Sequence, residues 1–173
     1  MLIVSVHAGA NKKEAFRMAE SAKKIAKDIM KTEVVKVGPE TPVKEVAKLM
    51  LACDISGFPV VDDQGKVIGV VTELDLMRNQ IAPNEPSIWS TIWGMDAERM
   101  KKYQDARRKY MAKTAGEVMT SPALTVDVAE SLERVANIMF NKQIKRLFVT
   151  DGDKLAGVIS RSAFTKLMLE MEK

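Results

Sequence analysis

The sequence predicts an α+β fold in which one β-α-β-β-α unit occurs twice, at residues 29–80 and 114–173, with pseudo-twofold symmetry. The main observation is an ordered set of short motifs that recurs over about fifty residues, an agreement that is hard to obtain by chance. The second observation is that each copy has one helical apolar pattern followed by two buried β runs. Because one copy is too small to bury its sheet well, the two copies should pack together.

The repeated motifs keep a nearly constant separation. Three of them recur 89 positions apart, and the fourth, after a one-residue gap, recurs 88 positions apart. The matching pairs are Ile29–Thr32 with Val118–Ser121, Val46–Met50 with Val135–Met139, Val60–Asp62 with Val149–Asp151, and Lys66–Thr72 with Lys154–Ser160.

Each copy has the same predicted elements. A short β segment opens the copy, an amphipathic helix follows, two strands flank a glycine-containing turn, and a final helix closes it. The predicted strands are Val34–Val37, Phe58–Val61 and Val67–Val71 in the first copy, and Leu124–Val126, Leu147–Thr150 and Leu155–Ile159 in the second. The apolar helix positions are Val43, Val46, Ala47, Met50 and Leu51, and Leu132, Val135, Ala136, Met139 and Phe140.

Residues 1–28 are predicted to be a lead-in segment and helix. Asn11 and Glu14 have the spacing of a capping box at its start. The predicted helix has a narrow apolar stripe, formed by Ala15, Ala19, Ala22, Ile25, Ala26 and Ile29.

Residues 81–113 are predicted to be a helical insert between the copies. Ser87 is expected to cap a short turn, and Asp96 is expected to cap a basic helix. Large aromatic residues in such a segment either pin it to the core or form a surface for a partner or a dimer. The aromatic and apolar positions of the insert are Trp89, Ile92, Trp93, Met100, Tyr103 and Tyr110.

The composition indicates a globular protein without a membrane span. Of the 173 residues, 46% are apolar and 29% are charged, and no apolar run approaches the roughly 20 residues that span a bilayer. Residues Leu2–Val6 lack the basic residues that precede a secretory signal. We therefore expect a cytoplasmic protein.

The scarcity of cysteine and histidine limits the disulfides, metal sites and catalytic groups that the chain can form. The single cysteine, Cys53, excludes an internal disulfide and a cysteine-cluster metal site, and we expect it to be a buried, inert thiol. The single histidine, His7, leaves no histidine constellation for catalysis or zinc. We predict a protein that is not an enzyme and has no metal, although chemistry by carboxylates alone stays open.

The charge is uneven along the chain. The net charge is +4, with +3 in residues 1–28 and +3 in residues 81–113. A solvated helix face explains a modest excess of this kind. The alternative is a nucleic-acid-binding protein that uses the basic helices 12–27 and 96–113, which predicts binding that falls steeply with salt.

At its repeated motifs the chain resembles the CBS-domain pair, or Bateman module. The motifs that carry the resemblance are the Ile29-Met30 and Val118-Met119 openings, Gly57–Asp62 and Gly69–Asp75. The insert is similar to that of plant chloroplast stand-alone CBS-pair proteins. The resemblance implies a non-catalytic regulatory module that forms a homodimer through its CBS repeats, controls an unidentified partner protein, and binds AMP, ADP, ATP or S-adenosylmethionine between the repeats.

Thr72 and Asp75 carry the strongest case for a ligand. A carboxylate can accept hydrogen bonds from both ribose hydroxyls, and Thr72 lies where a strand gives way to a helix. The resemblance assigns the ribose to Asp75, with Thr72 in support. The same Thr-x-x-Asp spacing also forms a capping box that needs no ligand. Ala163 replaces the aspartate in the second copy, which favours a further role for Asp75.

The resemblance also implies the remaining contacts of this first cleft. Gly57 would let a ligand approach the backbone closely, and apolar walls suit an adenine ring. For the apolar residues taken singly, a core role is the alternative. The implied contacts are Ser56, Gly57, Val70, Ser121, Ala123, Leu124, Ile144 and Lys145.

A second cleft is implied at the equivalent place in the other copy. It lacks the ribose aspartate, but the resemblance places Lys145 and Arg146 where members of the family often have phosphate-binding basic residues, and arginine recognises phosphate well. A solvated basic pair is the alternative. The candidate residues of this second cleft are Ser160, Arg161, Arg146, Thr32, Val34, Val35 and Ile55.

Overall fold

The computed structural model describes residues 24–84 and 97–171, which divide between two compact units. Unit A comprises the described residues of 35–124 together with Asp153–Leu155. Unit B comprises the described residues up to 34, Thr125–Gly152 and those from Ala156 onwards. The predicted capping box at Asn11 and Glu14, and the predicted turn with Trp89 and Trp93, lie outside the described residues.

Apart from the opening strand predicted for the first repeat, the described elements follow the predicted order. In chain order they are α1 (Ala26–Ile29), α2 (Val43–Cys53), β1 (Gly57–Val61), β2 (Val67–Thr72), α3 (Glu73–Gln80), α4 (Ala97–Met111), α5 (Ala115–Val118), β3 (Thr125–Asp127), α6 (Leu132–Asn141), β4 (Arg146–Asp151), β5 (Lys154–Ser160) and α7 (Arg161–Met171). Helices and short strands alternate within each repeat, which confirms the predicted α+β fold.

Unit A is built on the antiparallel pair of β1 and β2. Gly57 pairs with Thr72 and Phe58 with Val71, and Gly65 makes the connecting turn with a φ of 83°. α2 buries one helical face, at Val46 and Met50, against this pair. The core of unit A therefore consists of aliphatic residues around Phe58, which is fully buried.

The predicted strand Val34–Val37 is wrong. Only Val37 pairs with a strand, through a parallel bridge to Val60, and Val35 is 40% exposed. The chain turns immediately afterwards, where the Thr41 amide donates to the Gly38 carbonyl over 3.1 Å. The predicted strand is therefore reduced to a single bridge at Val37.

Unit B is a sheet in the order β3-β4-β5. β3 pairs with β4 in parallel, from Thr125 with Phe148 to Asp127 with Thr150, so the strand begins one residue later than predicted. Ser131 caps α6 by accepting a hydrogen bond from the Arg134 amide over 3.3 Å. The core, around Leu147, is closed by α1, α6 and α7.

The predicted lead-in helix does not continue unbroken to Ile29. Ile25 has an extended backbone, with a φ of −116°, and forms an antiparallel bridge with Ser131. α1 therefore begins at Ala26, because the Asp28 carboxylate accepts the Ile25 amide over 2.8 Å and caps the helix there.

The opening of each repeat pairs with the second strand of the other repeat. In unit A, Thr120 bridges Val70, and in unit B, Lys31 bridges Val158. The glycine beside each bridge leaves room for the opening: a Cβ on Gly157 would lie 2.8 Å from the Lys31 carbonyl oxygen. Each compact unit thus contains residues of both repeats.

The structure also bears on the predictions for Cys53 and for a membrane span. Cys53 is exposed rather than buried, because it lies in the last turn of α2, where the chain departs from the core through a left-handed Asp54. Over residues 24–84 and 97–171, no helix has both the length and the apolar character needed to cross a membrane.

Candidate ligand site

Asp75 lies in the first turn of α3, directly after β2, and is only 2% exposed. Its Oδ2 accepts hydrogen bonds from the Thr72 amide at 3.0 Å and the Thr72 hydroxyl at 2.6 Å. The Asp75 amide donates back to the Thr72 hydroxyl over 3.3 Å. The capping-box alternative is therefore present, and it uses one of the two carboxylate oxygens.

The other carboxylate oxygen of Asp75 joins two distant segments. Oδ1 accepts the Thr120 hydroxyl at 3.1 Å and the Lys109 ammonium at 3.2 Å. Thr120 opens the second repeat, and Lys109 belongs to the insert helix α4. One carboxylate thus holds together α3, the insert and the opening of repeat 2, all within unit A.

Asn79 anchors the insert one turn further along α3. It is 8% exposed, and its amide group donates to the Lys109 carbonyl at 2.7 Å and the Ala112 carbonyl at 2.9 Å. Such carbonyls at the C-terminal end of a helix have no partner within the helix itself. Asn79 was not among the predicted site residues, although its i,i+4 spacing from Asp75 puts both on one helix face.

A cavity of about 660 Å³ opens beside Lys109 in unit A. Two acidic residues of its lining already have partners: Asp105 pairs with Arg108 at 3.5 Å, and Glu117 accepts the amides of Lys113 and Thr114. These amides lower the pKa of the Glu117 carboxyl. The lining residues are Asp105, Arg108, Lys109, Met111, Ala112, Gly116, Glu117, Met119 and Ser121.

The other predicted contacts of unit A lie around the end of β2. The strand register places Gly57 beside Thr72, and the Ser56 carbonyl accepts the Glu73 amide over 3.1 Å. A Cβ on Gly57 would meet Thr72 and the Val71 carbonyl at 3.3 Å, so close strand packing also accounts for this glycine.

The contacts predicted from the opening of repeat 2 differ in exposure. Val70 faces this opening through its bridge to Thr120, and the Ser121 hydroxyl donates to the Ile68 carbonyl at 2.9 Å. Ala123 is half-buried, and Leu124 is 43% exposed.

Ile144 and Lys145, also predicted for this first cleft, belong to unit B. They lie between α6 and β4, and Ile144 packs against the unit B core. Their carbonyls accept the Arg161 side chain at 3.0 Å and the Arg161 amide at 3.2 Å.

The residues predicted for a second cleft are divided between the units. Ser160 shares a hydroxyl–hydroxyl hydrogen bond of 2.7 Å with Ser162, and Arg161 lines a cavity of about 790 Å³ with Phe140 and Phe164. Arg146 begins β4 and is half-buried. Of the remaining candidates, Thr32 and Val34 belong to unit B, and Val35 and Ile55 to unit A.

The basic helix predicted in the insert is present as α4, and the described part of it is amphipathic only weakly. Tyr103 is half-buried and Tyr110 is 40% exposed, so the aromatic residues are only partly held by the core. At least three of its six cationic side chains are in ion pairs, namely Lys102 with Glu98, Arg108 with Asp105, and Lys109 with Asp75. These pairs reduce the charge available to a nucleic acid.

No group of three or more His, Cys, Asp or Glu side chains that could hold a metal ion occurs among residues 24–84 and 97–171. The carboxylates of Asp75, Asp105 and Glu117 are instead engaged with donors of the chain itself.

Comparison with known families assigns the fold to a class. The model of the CBS domain matches residues 26–82 and 115–170, and the chain therefore belongs to the CBS-domain family, with two repeats. The two matched stretches include the opening of each repeat, and the insert lies between them.

Individual relatives and structures agree with this assignment. The chain is 30% identical over 149 residues to CBSX1, a chloroplastic CBS domain-containing protein of Arabidopsis thaliana, covering 79% of this chain and 60% of that protein. The crystal structure of Arabidopsis CBSX2 in complex with AMP is 28% identical, with a TM-score of 0.70 over 86% of this chain and 99% of that one. The CBS domain of a membrane protein from Sphaerobacter thermophilus is 29% identical, with a TM-score of 0.61 over 90% of this chain and 96% of that one.

The chain spans only about 60% of the full length of CBSX1 and 59% of that of CBSX2. A structure at 20% identity, the CBS domain pair of MJ0100 with 5′-methylthioadenosine and S-adenosyl-L-methionine, shares the fold with a TM-score of 0.60, covering 85% of this chain and 97% of that one.

Proposed function

We propose that this protein is a non-catalytic regulatory module that binds an adenine nucleotide at Asp75 and thereby controls a partner protein. The observation that carries the proposal is the buried Asp75 carboxylate, which joins the end of β2 to Thr120 in the opening of the other repeat. The 28% identity to a CBS-pair protein with AMP bound supports adenine nucleotides as the ligand class.

The chemistry of the site suits a ribose. A carboxylate offers two oxygens that accept hydrogen bonds from neighbouring hydroxyls, and the Thr72 hydroxyl lies 2.6 Å from one of them. The edge of β2 beside it is apolar, as an adenine ring requires. The ligand would therefore place its ribose on Asp75 and its base towards Val70 and Gly57.

Regulation would follow because the residues of the site come from both repeats. Asp75 belongs to the first repeat, whereas Thr120 and Ser121 belong to the opening of the second. A nucleotide held by both stabilises their pairing, and it shifts the activity of a partner by its differential affinity for the two arrangements. The regulated partner is a protein of unknown identity.

The choice of ligand and the ranking of the two clefts rest on the sequence analysis. AMP, ADP and ATP are the first candidates, and S-adenosylmethionine is the alternative. The second cleft is proposed as the weaker one, since Ala163 replaces the aspartate and Arg161 is engaged with the Ile144 carbonyl. A cytoplasmic location and a homodimer remain predictions.

Calorimetric titration of the purified protein with AMP, ADP, ATP and S-adenosylmethionine tests the proposal. We expect micromolar binding of at least one nucleotide, with one or two sites per chain and no turnover on prolonged incubation. No heat with any of the four would contradict it. In that case, salt-dependent DNA or RNA binding would favour the alternative of a nucleic-acid-binding protein.

A further inference from the structure

We infer that Lys109 of the insert helix selects adenosine 5′-phosphates, by leaving Asp75 and pairing with the phosphate when the ribose takes the carboxylate. The inference rests on the proposed function and adds a specificity residue to the same site. It also assigns a role to the insert, which lies outside both stretches matched by the CBS-domain family.

The first step is that the Asp75 carboxylate is saturated. It accepts four hydrogen bonds, two on each oxygen, from Thr72, Thr120 and Lys109. An ionised carboxylate has about four acceptor positions. A ribose hydroxyl can therefore bind Asp75 only when one of these donors leaves.

The second step is that Lys109 is the donor best able to leave. The Thr72 donors belong to the capping box of the same helix turn, and Thr120 is held by its backbone bridge to Val70. Lys109 has a flexible four-carbon stem and a side chain that is 20% exposed. Its ammonium can swing away without disturbing a strand or a cap.

The third step is that the insert stays docked during this exchange. Asn79 holds the Lys109 carbonyl at 2.7 Å and the Ala112 carbonyl at 2.9 Å. The backbone of Lys109 is thereby fixed beside α3 independently of its side chain. Only the ammonium group has to move.

The fourth step is that the released ammonium needs an anion. The acids that line the adjoining cavity are engaged, Asp105 with Arg108 and Glu117 with two backbone amides. A half-buried cation without a partner is costly. A 5′-phosphate supplies the missing negative charge, whereas S-adenosylmethionine carries a positive sulfonium at the same ribose carbon.

The experiment compares AMP with adenosine, which differ only in the phosphate. Their affinities are measured by calorimetry for the full chain and for Lys109→Met. We expect the AMP-to-adenosine affinity ratio to fall about tenfold or more in Lys109→Met, because a charge-assisted hydrogen bond is lost. Adenosine itself should bind as tightly or more tightly, since a competitor for Asp75 has been removed.

Two further variants make the test specific. Lys102→Met removes an exposed cation of the same helix, which pairs with Glu98, and should leave the ratio unchanged. Lys109→Arg keeps the charge and should retain most of the preference for AMP. Circular dichroism checks the fold of each variant, and Lys109→Gln replaces Lys109→Met if the latter does not fold.

Three results would overturn the inference. An unchanged ratio in Lys109→Met shows that Lys109 does not contact the phosphate. An equal weakening of both ligands, with a lowered melting temperature, shows a structural role only. If the wild-type chain binds neither AMP nor adenosine, the proposed function fails as well, which distinguishes that failure from the first two.

Discussion

At the residue scale, Asp75 performs two tasks that the sequence motif alone cannot separate. Its Oδ2 closes the capping box of α3 with Thr72, and its Oδ1 binds Thr120 and Lys109. A cap alone would need only the first oxygen, and an exposed cap residue would suffice. The burial of Asp75, at 2% exposure, is what a further role in the site requires.

Replacing the carboxylate tests the ribose contact. Asp75→Asn keeps the shape of the side chain but lacks the charge and one acceptor. We expect the affinity for AMP to fall about tenfold or more, since hydrogen bonds to charged groups contribute about 1.5–3 kcal/mol. Calorimetry measures it, and Asp63→Asn in the exposed turn after β1 is the control. An unchanged AMP affinity in a folded Asp75→Asn protein would exclude the ribose role.

The sequence reveals only the local half of this site. Thr72 and Asp75 are three residues apart, so their relation follows from the spacing of a helix start. Asp75 meets Lys109 and Thr120 across 34 and 45 residues, and nothing in a single sequence brings such positions together. Asn79 could have been predicted as a site residue, because it is a polar residue four positions after Asp75, but its partners could not.

At the element scale, α3 is the platform on which the insert is docked. Its two buried polar side chains, Asp75 and Asn79, both contact α4 or the residues that follow it. Five of the six predicted strands and the two amphipathic helices agree with the structure within about two residues, because their apolar runs and helical apolar patterns are clear. The predicted strand Val34–Val37 was wrong, because a short run of valines does not show whether a partner strand lies beside it, and only Val37 has one.

The docking of the insert depends on Asn79. Asn79→Ala removes the donor for carbonyls at the end of α4, so we expect faster hydrogen exchange in α4 and a loss of about 1–3 kcal/mol in the free energy of unfolding. Hydrogen exchange with mass spectrometry and urea titration measure these effects. Arg78→Ala, at the exposed neighbouring position, is the control. Equal exchange in the two variants would show that Asn79 does not anchor the insert.

The pairing of each opening with the second strand of the other repeat depends on two glycines, Gly69 and Gly157. In Gly157→Ala the new Cβ would lie 2.7 Å from the Met30 sulfur and 2.8 Å from the Lys31 carbonyl oxygen. We expect a loss of about 1–3 kcal/mol in the free energy of unfolding, as for other overpacked sites. Gly38→Ala, whose Cβ would meet its nearest atom at 3.8 Å, should be neutral. Equal urea midpoints would contradict this account.

At the scale of the whole molecule, the two compact units do not coincide with the two repeats. Unit A contains the core of repeat 1 with the opening of repeat 2, and unit B contains the reverse. The repeat itself was visible in the sequence because its motifs recur at a fixed distance. The apolar pattern alone did not reveal the exchange, because each opening satisfies that pattern with either repeat. The family resemblance implied it, by assigning Ser121 and Ala123 of the second copy to the cleft of Asp75.

Two exposed apolar side chains, one in each repeat, provide a test of the predicted homodimer. Leu51 and Phe140 are at equivalent positions in α2 and α6, and they are 86% and 81% exposed. Large exposed apolar side chains are typical of interfaces. We expect Leu51→Ser with Phe140→Ser to convert a dimer to a monomer in sedimentation velocity, with Lys44→Ser as the control. A monomeric wild-type protein, or a double variant that stays dimeric, would contradict this role of the two side chains.

The central claim is that an adenine nucleotide binds with its ribose on Asp75. A crystal structure of the complex with AMP tests this most directly. We predict ribose hydroxyls within hydrogen-bond distance of the Asp75 carboxylate, with the Lys109 ammonium moved from Asp75 to the phosphate. AMP bound elsewhere, with the 3.2 Å contact between Lys109 and Asp75 intact, would contradict the claim.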